Sequence, residues 1–331
     1  MAETPDPQSS STSLDQEESP HADHVLLVPT EQVLHAGPPH YQARHASHVH
    51  HRFATYVALT TANTDPKTLH DFRNCGRTAM VLRDKDNAAH LKFGLITCKH
   101  RLCPACSRER AATIAANLQP HIIAGATKFI TLTLAPTEPT LKAQLALLRR
   151  SFTRLRQRPL WKARVRGYVG FVEIKPSKAK TGWNTHLHIL ARSTFVPQAQ
   201  LALDWLAVTG TSRIVDIRLV HSSDDAVAYV TKYVTKAIDE ATYANPEHLA
   251  ELARVVRNAK LVLTGGEWRS IRLLAPPPTE KHWVRVDDLD AFLYETHGDH
   301  FACKHVQAAW REYSAGTGPQ DFFLPDRPAP T

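Results

Sequence analysis

Cys98, Cys103 and Cys106 fall within nine residues, in the spacing C-x4-C-x2-C. Two thiolates separated by two residues reach a single metal ion, and a third close by narrows the choice of ion. Cys75, between Asn74 and Gly76, is the obvious fourth ligand, with His90 and His100 as substitutes. Four thiolates favour Zn²⁺ in a closed structural site. Such a site ties chain segments more than twenty residues apart into one module. The fifth cysteine, Cys303, stands alone and is expected to be unliganded. An odd count next to this spacing argues against a disulfide framework.

The charge along the chain is uneven. The 331 residues carry a net +8, yet residues 1–43 hold seven carboxylates and neither Lys nor Arg. Setting those seven aside leaves the rest of the chain at +15. A strongly basic body is the asymmetry of a nucleic-acid binder, because Lys and Arg displace counterions from phosphates. No apolar run approaches the roughly 18–20 residues of a membrane helix, so no membrane partner is expected. The N-terminus has neither a basic segment nor an apolar segment of a secretory signal, so an intracellular location is expected. Hydrophobic residues make up 43% of the chain, enough for a real core.

Residues 1–52 are rich in Ser, Pro and acids, then in His, and read as a disordered acidic, His-rich tail. Residues 53–124 read as a zinc-binding module followed by a helix over 108–118. In residues 128–135, Phe129, Thr131 and Thr133 alternate with Ile130, Leu132 and Leu134, the pattern of a half-buried strand. A helix over 139–157, strands at 167–175 and 183–191, a helix over 198–207 and a strand at 213–220 follow. Ser222, Ser223, Asp224 and Asp225 announce a helix over 224–239. Residues 243–331 read as a mostly helical accessory region, with helices near 287–296 and 300–313. The order gives an α+β fold with a central antiparallel sheet backed by helices.

Residues 183–190 place Asn184, His186, His188 and Leu190 on one strand face. Two histidines on one face come close enough to hold one metal. With the hairpin turn centred between Ala179 and Lys180, Glu173 falls opposite His186 on that face. Two imidazoles and a carboxylate with open positions suit Mn²⁺ or Mg²⁺ bound to a phosphate. In the next helix, Val227, Val230, Val234, Ala237 and Ile238 form the core stripe. Tyr229 and Tyr233, four residues apart, stack to one side of it, next to Lys232 and Lys236. A phenol near ammonium groups and a metal is a candidate nucleophile toward phosphorus, since positive charge favours phenolate.

Residues 149–166 carry Arg149, Arg150, Arg154, Arg156, Arg158, Lys162, Arg164 and Arg166 and no acid. Eight like charges in 18 residues are expected to touch a DNA backbone. Trp161 and Trp183 either stack on unpaired bases or are buried.

Together, KFITLTL, THLHIL and YVTKYVTK resemble the HUH endonuclease superfamily. The segment CKHRLCPACSRER is similar to the cysteine segment of the replication initiator (Rep) proteins of small bacterial rolling-circle plasmids. The resemblance covers roughly residues 70–240, with the HUH nicking-joining domain at 125–242. It implies a tyrosine that attacks a scissile phosphate at the origin, leaving a 5′-phosphotyrosine and a free 3′-OH primer, followed by rejoining. It implies His186 and His188, with Glu173 as third ligand, for the catalytic Mn²⁺ or Mg²⁺, and Tyr233 as nucleophile. Single-stranded or hairpin origin DNA, host helicase and replication machinery are the implied partners, in a bacterial cytoplasm. Many such initiators have Glu where this chain has Tyr229. A tyrosine pair is similar instead to phage initiators and two-tyrosine HUH transposases. A transposase, and a zinc-ribbon DNA binder without catalysis, are the competing readings.

Overall fold

The computed structural model describes residues 29–177, 182–235, 240–257, 259–275, 283–295 and 299–327. Four helices come first: α1 (Glu31–His35), α2 (Pro39–His45), α3 (Val49–Thr61) and α4 (Pro66–Arg73). A hairpin of β1 (Ala79–Asp84) and β2 (His90–Leu95) leads to α5 (Pro104–Leu118) and β3 (Thr127–Leu134). Then come α6 (Leu141–Leu155), α7 (Pro159–Arg164), β4 (Val165–Pro176), β5 (Trp183–Ser193) and α8 (Gln198–Thr209). Strand β6 (Val215–Leu219) precedes α9 (Ser223–Thr235), α10 (Glu240–Tyr243), α11 (Pro246–Val256) and β7 (Val262–Gly266). The chain closes with β8 (Trp283–Asp288), α12 (Leu289–Glu295), α13 (His300–Ala315) and β9 (Asp321–Phe323).

Local chemistry sets the ends of these elements. Thr140 caps α6 by accepting from the Ala143 amide at 3.2 Å. Ser222 and Asp225 form a reciprocal box at the start of α9, at 3.0 and 3.1 Å. Gly210, with φ +78°, ends α8 in the left-handed conformation that a side chain would strain.

The central sheet runs β6-β3-β5-β4-β7, with every neighbour antiparallel. Alternation along its strands splits the core in two. Ile130, Leu132, Leu187, Ile189, Val172 and Ile174 face α6, α8 and α11, meeting Leu145, Phe152, Trp205 and Leu252. Phe129, Val169, Phe171 and Leu190 face α5 and α9, meeting Ile114, Leu118, Ala226 and Val230. The α+β class and the helix-backed antiparallel sheet follow the sequence expectation.

Two expectations are corrected. The tail read as disordered over 1–52 folds from residue 31 onward, and residues 1–28 lie outside the described residues. Leu34, Tyr41 and Arg52 are each fully buried there. The Tyr41 hydroxyl donates to the Leu34 carbonyl at 2.8 Å, and the Arg52 guanidinium donates to the carbonyls of Phe72 and Arg73 at 2.7 and 2.9 Å. A polar average over the segment hides these few anchoring side chains. The C-terminal region is not simply helical either. Strands β8 and β9 flank the β1-β2 hairpin in a second sheet ordered β8-β1-β2-β9. Phe93 packs there on Trp310, Tyr313 and Phe322, at ring distances of 5.1, 5.7 and 5.0 Å. Residues 283–295 and 299–323 therefore complete the sheet whose central hairpin lies between Cys75 and Cys98.

Arg52 shows what holds the N-terminal helices in place. Its charge is buried, and its partners are carbonyls and the rings of Tyr41 and Phe72, each 5.4 Å from the guanidinium carbon. Arg52→Leu removes the shortest donors to the Phe72 and Arg73 carbonyls, leaving them the Cys75 amide at 3.4 Å and the Tyr41 hydroxyl at 3.2 Å, and is expected to cost about 3 kcal/mol in urea unfolding.

Candidate active site and zinc centre

Cys75 follows the C-terminus of α4, Cys98 follows β2, Cys103 is the N-cap of α5 and Cys106 lies in its first turn. Their four sulfur atoms lie within 4.8 Å of one another. Cys75 is 3.4 Å from Cys106 and 3.9 Å from Cys103, and Cys98 is 3.7 Å from Cys106. Tetrahedral zinc, with Zn–S near 2.3 Å, requires sulfurs about 3.8 Å apart, so the set fits the ion. Arg44 lies alongside, its Nη2 3.5 Å from the Cys106 sulfur, and it pairs with Glu109. Its pKa is raised: burial opposes this, but Glu109 and the thiols of Cys75 and Cys106 outweigh burial.

Both histidine substitutes lie elsewhere. His90 sits 3.3 Å from Asp84 and 3.3 Å from Asp321 and stacks on Phe323, while His100 accepts from the Leu102 amide. Cys303 is buried on α13, outside the cluster.

On the other side of α5, the central sheet brings the second group together. Glu173 is the register partner of His186, as the turn position required. His188 Nε2 lies 2.9 Å from Glu173 Oε2, with both residues buried. Strand β3 supplies a contribution the sequence reading did not assign. Thr133 and Thr131 sit opposite His186 and His188, their hydroxyls 3.1 and 3.2 Å from the two Nδ1 atoms. With Nδ1 engaged, each ring offers Nε2 to a ligand. The alternation of KFITLTL contained the signal, since it placed both threonines on one face.

Glu173 Oε1 is buried and makes no hydrogen bond, although Lys175 Nζ lies 3.2 Å away. A carboxylate beside two oriented imidazoles is a donor set suited to a divalent cation, and the Lys175 ammonium supplies the positive charge at Oε1 here. The set is wider than the cysteine cluster, with the two imidazole centroids 6.0 Å apart. Burial works to raise the Glu173 pKa, but the hydrogen bond and charge of His188, with Lys175, bring it down to about 2. Burial lowers the His186 pKa, the Glu173 charge works against this, and His188 and Lys175 add to the lowering. A carboxylate and a neutral imidazole are the ligand forms of these groups.

Helix α9 sets both tyrosines against this group. The Tyr233 ring stacks on His188 with centroids 3.6 Å apart. Tyr229 stacks on Phe129 at 4.0 Å, and its hydroxyl reaches His188 Nδ1 at 3.3 Å. Val230 is buried in the core, with Val227 and Val234 packed beside it, as the core stripe predicts. Ala237, Ile238 and Lys236 lie outside the described residues. Lys232 is exposed, with Nζ 5.4 Å from the centroid of the Tyr233 ring.

The expected stabilisation of phenolate by lysines is corrected. Burial raises the pKa of both phenols, with the charge of Glu173 adding, and the cations opposing it at Tyr233 are Lys175 and Arg218. Both tyrosines therefore stand as neutral phenols. A cavity of about 830 Å³ opens in front of them, lined also by Asp216, Arg218, His221 and Asp225. Asp216, Arg218 and His221 were not singled out from the sequence, because β6 and its following loop carry no motif, and Asp225 stood there only as a helix-start signal.

The basic stretch is not at this face. Helix α6 packs on the opposite side of the sheet, through Leu145, Leu148 and Phe152. Arg158 pairs with Asp204 at 3.0 Å, and the Arg156 guanidinium lies over Phe152 and Tyr168. Arg150, Arg154, Lys162, Arg164 and Arg166 are exposed, and Arg149 is half-buried. Trp161 and Trp183 are buried, and Trp183 donates to Glu251 at 2.7 Å.

Comparison with known proteins agrees with this division. Residues 92–312 match the family described as Replication protein, which is more than half of the chain, and the chain belongs to that family. Residues 45–134 match the Transposase zinc-binding domain, a span that contains all four clustered cysteines. Cys75, Cys98, Cys103 and Cys106 thus form a structural zinc site. The Protein rep of Staphylococcus aureus is 26% identical over 187 residues, covering 50% of this chain and 81% of that protein. No solved structure matches. Among the described residues, no helix is long and apolar enough to cross a membrane.

Proposed function

We propose that this protein starts rolling-circle replication by cutting one strand at an origin, with Tyr233 as the nucleophile. The observation that carries the reading is the stacking of Tyr233 on His188, whose Nε2 faces Glu173. The Tyr233 oxygen attacks phosphorus and its proton leaves as the O–P bond forms. The P–O3′ bond breaks, and the departing oxygen takes a proton to become the 3′-OH primer. The 5′ phosphate stays on the tyrosine. His186, His188 and Glu173 would hold Mn²⁺ or Mg²⁺, which would polarise the phosphoryl oxygen and favour loss of the phenolic proton. Tyr229, in reach of the same imidazole, would serve a second strand transfer that rejoins the DNA.

The match to the Transposase zinc-binding domain favours a second reading, a two-tyrosine transposase. The two share the first chemical step and differ in the strand that accepts the second. The test uses the full chain, Mn²⁺ and single-stranded fragments tiling the DNA that encodes it. One fragment is expected to form an adduct stable to denaturant, with the DNA on the peptide that contains Tyr233. No adduct on any fragment, with either Mn²⁺ or Mg²⁺, leaves the non-catalytic zinc-ribbon binder.

A further inference from the structure

Tyr233 has a second open side. Behind it lies a cavity of about 450 Å³ between α5, α9 and the sheet edge at β7. Its walls are apolar, with Ile114, Leu261, Ile271 and Leu273, and its charged side chains are Arg101, Arg110 and Lys260. Among the described residues, no carboxylate lines it. Two further cavities adjoin it through shared residues. Arg101 and Arg110 also line a cavity of about 280 Å³ beside the zinc module, with Lys99 and Arg257. Asp71, the carboxylate there, is paired with Lys67 at 2.7 Å, and Arg257 is paired with Asp65. Lys260 and Thr264 also line a cavity of about 390 Å³ with Arg149, Arg156 and Arg269, again without a carboxylate among the described residues. The Arg149 guanidinium donates to the Lys260 carbonyl at 3.4 Å.

These surfaces join into one cationic track. It runs from the zinc module, behind Tyr233, and over the β7 edge to the far face of the sheet. Two members of the basic stretch, Arg149 and Arg156, reach it there although their helix packs away from the histidines. Fixed cations with apolar pockets at intervals match a flexible polyanion that carries flat apolar bases. A rigid duplex offers phosphates but no unpaired base to fill the apolar pocket behind Tyr233.

We infer that this track holds the single strand that flanks the scissile phosphate. Arg101, Arg110 and Lys260 hold its phosphates, and an unpaired base sits in the apolar cavity behind Tyr233. The inference rests on the strand-cutting reading above and assigns that reaction its strand path.

The test measures binding without cutting, by fluorescence anisotropy of a labelled oligothymidylate with no Mn²⁺ or Mg²⁺ added. Arg110→Gln/Lys260→Gln is expected to weaken binding about tenfold and to lower the slope of log affinity against log salt by about 1.4. Lys142→Gln/Lys304→Gln removes two exposed cations away from the track and is expected to keep the wild-type slope. Equal loss in both doubles overturns the track in favour of diffuse charge. Wild-type affinity in the Arg110/Lys260 double, or a loss seen only with duplex DNA, overturns it as well. Because no bond is cut, these outcomes are separate from adduct formation: a chain that binds through the track but forms no adduct refutes the cutting reading alone.

Discussion

Stripping the zinc, followed by dialysis into Mn²⁺, is expected to abolish adduct formation, and adding Zn²⁺ back is expected to restore it. The four sulfurs are crowded within 4.8 Å and come from three separate places in the chain. Without an ion, deprotonated thiols at that distance repel, and the Arg44 guanidinium and the His100 amide offset them in part. The effect reaches the active site through α5. That helix begins at the cysteines and packs on α9, where the Ser107 hydroxyl donates to the Val234 carbonyl at 3.3 Å, one residue past Tyr233. Losing the cluster frees the start of α5 and with it the support of the tyrosine helix.

Structural zinc is worth about 10–16 kcal/mol in isolated finger peptides. Here Ile114, Ala115 and Leu118 also anchor α5 in the core, so the loss is smaller. A loss on the order of 5 kcal/mol, or a fall in Tm of roughly 10–20 °C, is expected for Cys106→Ser. Zinc content by atomic emission, Tm and adduct yield should fall together in that variant. A zinc-free chain that keeps its Tm and still forms adduct would show the cluster to be dispensable.

The zinc centre was legible because its signal is local. Three ligands lie within nine residues, and only Cys75 had to be chosen. The histidine–carboxylate pairing was legible for a related reason. A short hairpin turn fixes antiparallel register, so the turn position alone placed Glu173 against His186. What the sequence concealed depends on contacts between distant segments. Strand β1 carries apolar residues on both faces, β2 is a short alternation of Leu91, Phe93 and Leu95 with polar residues and glycine, and their partners β8 and β9 lie some two hundred residues away, so local pattern did not announce the second sheet. The helices within residues 31–52 are anchored by Leu34, Tyr41, His45 and Arg52, too few to change the segment's average composition. The tyrosine chemistry was misjudged because sequence neighbours stood in for spatial ones. Lys232 is next to Tyr233 in the chain, whereas the groups that set its pKa are burial, Glu173, Lys175 and Arg218. The charge run over 149–166 was visible, but the helical period that disperses it across two faces of the molecule required the structure.

Phenylalanine at each tyrosine in turn is expected to separate the two strand transfers. Tyr233→Phe removes one oxygen and keeps the ring that stacks on His188, so the site stays packed. If that oxygen is the nucleophile, adduct formation should fall at least about a thousandfold, since no covalent route remains. Tyr229→Phe likewise keeps the stack on Phe129 and loses only the contact between its hydroxyl and His188. Its first cut should stay within about tenfold of wild type, the scale of one lost hydrogen bond. Closure of the strand should fail in this variant, because the second attack has lost its oxygen. The assignment of order follows from burial. Burial is the leading cause of the upward pKa shift at both phenols, and it is greater at Tyr229, whose pKa is pushed further up. The less buried phenol is the more accessible to an incoming phosphate. The deeper one is held back until the site has a DNA end to rejoin. Measured on one oligonucleotide, Tyr233→Phe should therefore lose both cutting and closure, and Tyr229→Phe closure alone. If Tyr229→Phe cuts and also closes, termination here uses water rather than a second tyrosine. If Tyr233→Phe keeps its adduct and Tyr229→Phe loses it, the two roles are exchanged.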